Sequence, residues 1–252
     1  MQFCFDSSRV EHTISNYSDK TIKVNKNDSY VSLPGCVINH ILQNQDLSNL
    51  EKIFYLLADS LALINFHCNK QRAIALAADS WAKKLNCSRS QIFFMQKSLA
   101  AKGYFIIYKD KNSYGQNNRN LIYPTLPDHV FEQLRTSPDR SGEEHLPYVD
   151  TNESKREYLD RSKLFISISY QTLKELCTHN QLTPFHKLIW LDLYTQCYKK
   201  YIAARTEKST TSFSLITSTE ELTQKYCCDK RYISKALITL AAVGLIKREH
   251  FY

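Results

Sequence analysis

The chain has 252 residues, 43% hydrophobic and 23% charged, which is enough apolar material for two domains of ordinary size and too much for a disordered polymer. Its longest apolar stretch, Ile53 to Phe66, is broken by Asp59 and Ser60 and is too short to cross a bilayer. The net charge of +8 is unevenly spread: residues 30–127 hold eleven basic and five acidic side chains, residues 165–252 hold twelve and seven, and residues 128–164 hold six and nine. Two cationic blocks around an acidic bridge fit a polyanionic partner.

Residues 1–29 read as an amino-terminal extension. MQFCFDSSRVEHT lacks the basic-then-apolar order of a secretion signal, so a cytoplasmic protein is expected. From Tyr30 the chain begins a segment that it later repeats. YVSLPGCVINHILQNQDLSNLEKIFYLL falls without gaps on FISISYQTLKELCTHNQLTPFHKLIWLD at a shift of 135, placing Val31 on Ile166, Leu47 on Leu182 and Lys52 on Lys187. Within the first copy, Ser48 and Glu51 form a capping box ahead of a long helix whose Leu50, Phe54, Leu57, Leu61 and Ile64 make one apolar stripe.

A shorter helix follows, then a polar break at Asn86 and a further helix from Ser88. A short side-chain oxygen at Ser88 can accept from the exposed amides of the first turn. Ile92, Gln96 and Leu99 mark the inward face of this helix, and Gly103 ends it. FIIYKDKNSYGQNNRNLIYPTL then reads as a hairpin, two β-rich arms around a polar loop. Residues 128–164 read as an acidic linker, with helical stretches expected at Val130 to Leu134 and Glu153 to Leu159.

In the second copy Thr183 precedes Pro184 at a first helical position, and Ser218 with Glu221 caps the shorter helix. At a shift of 141, WAKKLNCSRSQIFFMQKSLAAKGYF lies on LTQKYCCDKRYISKALITLAAVGLI, so Ile92, Gln96, Leu99 and Gly103 meet Ile233, Leu237, Leu240 and Gly244. Asp229 stands at the N-cap. The chain then runs out at LIKREHFY with one strand and no returning partner, so a complete second hairpin is not expected from these residues and the open edge is free to pair with another chain.

The order helix, helix, helix, hairpin, carried by Leu47-Ser48 with Lys52, Ser218 with Leu222, Ser88-Arg89 with Ile92, and Leu240 with Gly244, resembles the winged-helix family of plasmid replication initiators and mobile-element regulators. The resemblance covers about two thirds of the chain and implies a mainly α fold with small β-hairpins: one winged-helix domain at 30–127, and a second at 165–252 with an incomplete wing. It implies further that the last helix of each trio enters the major groove of double-stranded DNA while the wing follows the backbone. The residues facing away from Ile92 and Leu99 are Arg89, Ser90, Gln91, Phe93, Phe94 and Lys97; the second copy presents Lys230, Arg231, Tyr232, Ser234 and Lys235. Arg and Gln suit guanine and adenine edges, whereas Lys and Ser suit phosphates. Lys109, Lys111, Asn112, Asn117, Asn118 and Arg119 give the first wing a basic tip, and Lys247 and Arg248 stand on the second.

Phe93 and Phe94 leave three readings open: contact with thymine methyls, packing under neighbouring segments, or a protein interface. Burial is the expected one. The alternative function is accordingly a winged-helix protein–protein interaction module, with a homodimer or another protein as partner.

No catalysis is expected. A His-hydrophobic-His motif is missing, five scattered glycines build no phosphate loop, and neither G-x-S-x-G nor H-E-x-x-H occurs. The eight cysteines include no C-x-x-C pair, so neither metal nor cofactor is expected and the thiols read as small hydrophobes.

Overall fold

Helix-starting residues and turn glycines act where the sequence puts them in a computed structural model that describes residues 2–4, 30–69, 72–109, 120–135, 165–206 and 214–249. These form, in chain order, β1 (Gln2–Cys4), β2 (Tyr30–Pro34), α1 (Gly35–Gln43), α2 (Asn49–Asn69), β3 (Ile74–Ala75), α3 (Ala78–Leu85), α4 (Arg89–Ala101), β4 (Phe105–Tyr108) and β5 (Leu121–Pro124). There follow α5 (Asp128–Arg135), β6 (Phe165–Ser169), α6 (Tyr170–Thr178), α7 (Pro184–Thr206), β7 (Ser214–Ile216), α8 (Thr219–Tyr226), α9 (Lys230–Ala242) and β8 (Lys247–Glu249). The architecture is mainly helical, with small antiparallel sheets.

The internal repeat is visible in the element bounds. β2 and α1 recur as β6 and α6 at the shift of 135, and α3 and α4 recur as α8 and α9 at the shift of 141, with the same first and last positions. The left-handed backbone that joins each short helix to the next falls on Asn86 (φ 52°) and its counterpart Cys227 (φ 47°). Each of α4 and α9 then stops at a glycine with positive φ, 78° at Gly103 and 74° at Gly244. There the following amide reaches back, Tyr104 to the Leu99 carbonyl at 2.8 Å and Leu245 to the Leu240 carbonyl at 3.0 Å, closing the helix end.

Contacts divide the chain into two units, Asn25–His179, and Met1–Val24 with Asn180–Tyr252. This differs from the boundaries at 128 and 165 read in the sequence. β6 and α6 open the second repeat yet belong with the first unit, because β6 pairs along its length with β2. The register sets Ser32 opposite Ser167, its own counterpart in the repeat, and the two hydroxyls share a buried 3.0 Å hydrogen bond. Val31 and Leu33 face the core beside Ile168 and Ile166, all buried. The start of the presumed linker is structured as well: α5 spans the expected helical stretch and buries Val130, Phe131 and Leu134 at helical spacing. Glu153 to Leu159 lie outside the described residues.

The core of the Asn25–His179 unit is aromatic. Phe54 on the apolar stripe of α2 meets Trp81 of α3 at 4.9 Å and Phe105 of β4 at 5.2 Å, both edge-on, so one helix locks the short helix and the first hairpin strand. The hairpin forms as expected, β4 on β5 with Ile107 opposite Ile122, and β3 pairs on the other side of β5.

The second sheet has the same plan but a different source for its middle strand. Its order is β7-β1-β8, against β3-β5-β4 in the first. Among the described residues no strand after β8 pairs with it; Gln2, Phe3 and Cys4 lie antiparallel between Ile216, Leu215 and Ser214 on one side and Glu249, Arg248 and Lys247 on the other. The expected open edge is therefore occupied by the chain's own amino-terminal strand, because an unpaired ladder is satisfied by any strand that can reach it.

Candidate nucleic-acid interface

The exposed faces of α4 and α9 are built in the same way. Ser88 accepts from the Gln91 amide at 3.2 Å and the Gln91 side-chain oxygen takes the Ser88 amide at 2.8 Å, a complete capping box that fixes where α4 begins. In α9 the Asp229 carboxylate accepts from the Arg231 amide at 2.7 Å. Below, Ile92, Gln96 and Leu99 are buried, as are Ile233, Leu237 and Leu240. The opposite faces are left to solvent.

On α4, Arg89, Ser90, Gln91 and Lys97 are all exposed, as expected. The Arg89 guanidinium lies 5.5 Å from the Phe93 ring centroid and 3.8 Å from the Asp79 carboxylate, with both charged side chains about two-thirds exposed. Such a pair in water holds weakly and is easily exchanged for another anion. Gln91 spends its oxygen on the cap, so its carboxamide is not poised to make the two-pronged adenine contact that its position implied. The expectation of burial for Phe93 and Phe94 fails: they are 41% and 72% exposed, because their positions fall between the turns that face the core.

On α9, Lys230, Arg231 and Lys235 are exposed and Ser234 is half-buried. Lys230 pairs with Glu220 at the start of α8, an exposed contact that holds the Glu220 carboxyl below its ordinary range through the hydrogen bond from the ammonium. Tyr232 stacks on Phe185 with ring centroids 4.6 Å apart and stays 48% exposed, so its ring is buttressed on one side and open to solvent elsewhere. Over this face lies an open depression of about 530 Å³ lined, among the described residues, by Asp229, Lys230, Arg231, Ser234, Lys235 and Ile238. Burial, and then the charge of Lys235, push His186 beneath its usual range. Ile238 was not expected on this surface. Its spacing of four from Ser234 would have revealed it.

Of the wing residues, Lys109 is exposed just beyond β4, Lys247 is exposed on β8, and Arg248 lies opposite Phe3 in the sheet register. Lys111, Asn112, Asn117, Asn118 and Arg119 lie outside the described residues.

The short helices are tied to their units by charge. Lys225 of α8 reaches the buried Asp192 carboxylate at 2.6 Å, where Tyr226 also donates at 2.8 Å; burial above all raises the phenol well above its ordinary value. The counterpart of Lys225 in the first repeat, Lys84, instead donates to the Tyr170 hydroxyl at 3.1 Å. Lys102, beyond α4, binds Glu51 at 3.1 Å and the Asp46 carbonyl at 2.7 Å. These contacts orient α3, α4 and α8 and take cations out of contention for a ligand.

Among the described residues no group of three or more His, Cys, Asp or Glu is placed to hold a metal ion, and no helix is long and apolar enough to cross a membrane. No family model, no curated protein and no solved structure matches the chain.

Proposed function

We propose that this chain is a tandem winged-helix protein that binds double-stranded DNA, as a cytoplasmic transcriptional regulator or as a non-enzymatic replication initiator of a plasmid-like element. One observation carries the reading. A capped helix with a buried inner face and a cationic outer face occurs twice at corresponding positions, each time after a left-handed turn and before a glycine stop. A polyanion with a groove wide enough for a helix fits that face, and Arg231 and Lys235 are the side chains best placed for guanine edges and phosphates. In this reading no metal, cofactor or reacting group takes part.

Duplex binding should be strongly salt-dependent: six phosphate contacts imply a loss of roughly a thousandfold between about 50 and 200 mM salt. Replacing Arg231 and Lys235 together by Ala should release the duplex in a gel-shift or fluorescence-anisotropy titration while circular dichroism stays unchanged, since both side chains are exposed. A salt-independent signal, or undiminished binding by the double variant, removes the reading. Enrichment of bound genomic fragments then separates the roles: promoter sites favour a regulator, and iterated repeats beside an origin favour an initiator.

A second reading, a winged-helix protein–protein interaction module, is favoured by the exposure of Phe93 and Phe94. Under it, the Arg231/Lys235 double variant would behave as wild type, and a homodimer or heterologous complex would be lost only on changing the phenylalanines.

A further inference from the structure

The two outer faces carry different chemistry at the same positions. At the shift of 141, Phe93 and Phe94 of α4 correspond to Ser234 and Lys235 of α9, and Lys97 corresponds to Ile238. Phe94 is the most exposed large hydrophobic side chain among the described residues, at 72%. Its neighbours one helical turn away on either side, Ser90, Gln91, Lys97 and Ser98, are all polar. With only Phe93, 41% exposed, beside it, the ring stands among polar and cationic side chains and does not make a continuous apolar patch of the size protein partners cover. It does match a surface that is anionic at its rim and offers single methyl groups within.

The major groove is such a surface. Phosphates line its walls, and of the four bases only thymine presents an apolar group there, the C5 methyl. Resting on the proposed DNA-binding function, we infer that α4 reads thymine methyls through Phe94, with Phe93 held beneath the Arg89 guanidinium at its side, while α9 reads guanine through Arg231 and Lys235. The two helices then differ in preference, α4 for thymine-bearing duplex and α9 for guanine-bearing duplex. The repeat preserves the presentation of the helix and changes what it reads. Arg89 and Lys97 flank the ring and supply the phosphate contacts, and Phe94 adds a preference that is independent of charge.

The test uses the full chain. A randomised duplex pool is enriched by binding, and the enriched duplex is resynthesised with deoxyuridine in place of thymine, one position at a time, which removes the methyl and nothing else. Loss of one methyl contact should weaken binding roughly fourfold, the ratio that corresponds to ~0.8 kcal/mol per buried methylene-sized group. The effect should be confined to the few thymines that α4 contacts and absent at the remaining thymines of the duplex. Phe94→Ala should bind thymine and uracil duplexes alike, Phe94→Leu should keep part of the difference, and Arg231→Ala should keep all of it while relaxing the guanine preference. Uniform indifference to deoxyuridine, or a thymine preference that survives in Phe94→Ala, overturns the inference while leaving duplex binding intact. A wild-type dimer that dissociates in Phe94→Ala with unaltered base preference also overturns it, in favour of a contact between copies. A pool from which nothing is enriched removes the DNA-binding function itself, and this inference with it.

Discussion

The backbone at Cys227 is a point of stored strain. A non-glycine residue in the left-handed region costs about 1–2 kcal/mol, and less for Asn, whose side chain bonds locally. The first repeat has Asn86 at that place, whereas the second has Cys227 with φ at 47° and its thiol exposed. Cys227→Asn should therefore raise the thermal midpoint, with a gain of about 1 kcal/mol in chemical unfolding. A second residue-scale property is sensitivity to acid. Burial, and then the neighbouring charge of His129, hold His40 below its ordinary 6.5. Its ring stands 2.9 Å from the Tyr104 hydroxyl, with Asn44 donating to it. As pH falls from 6.5 the unfolded chain takes up the proton first, so the contribution of His40 is complete above that value and is lost as pH drops through the lower folded-state value. His186 acts in the same direction in the other unit. Thermal midpoints recorded downward from pH 6.5 should fall for the wild type and less steeply for His40→Gln. The decline belonging to Glu51 begins only below its ordinary 4.5: burial raises that carboxyl, but hydrogen bonds from Ser98, Ser48 and Lys102 outweigh it and leave the group lowered.

The cap of α4 is what distinguishes a structural polar residue from a reading one. Ser88→Ala should cost about 1 kcal/mol. Gln91→Ala should likewise lower stability and leave the sequence preference of the bound duplex unaltered, measured by urea unfolding alongside the enriched-duplex titration. The capping boxes, the glycine stops, the hairpin and the inner faces of α4 and α9 were legible in the sequence because each depends on residues close in the chain, within about one turn for a cap and within twenty positions for the hairpin, where Phe105 pairs with Pro124. The exposure of Phe93 and Phe94 was not, since apolarity favours an interior that their helical phase denies them. The part Gln91 plays in the cap was not read either, because a glutamine on the outer face suits a box partner and a base contact alike. Nor could the pairing of β2 with β6 be read from local pattern, because its partners lie 135 residues apart around Ser32 and Ser167.

At the scale of the whole molecule, the duplication was legible but the division of the chain was not, because local pattern does not reveal which distant strand completes a sheet. The Met1–Val24 segment is part of the unit that contains α7, α8 and α9. A fragment holding residues 180–252 alone should thus lack the middle strand of its sheet and expose two edges, and adding a peptide of residues 1–24 should restore its resistance to proteolysis. Phe3→Pro tests the same dependence in the intact chain. A proline in a central strand removes a ladder donor and costs about 3 kcal/mol or more, so amide exchange should accelerate in β7 and β8 and remain unchanged in β4 and β5. The seat of β1 also sets the order of events at the ribosome. Phe3 pairs with Arg248, so β1 waits for a partner made 245 residues later, a delay on the order of ten to fifty seconds at roughly 5–20 residues per second. Until β8 has emerged, the nascent chain carries an unclosed sheet, and the α9 face stands on a finished scaffold only once β1 has seated between β7 and β8.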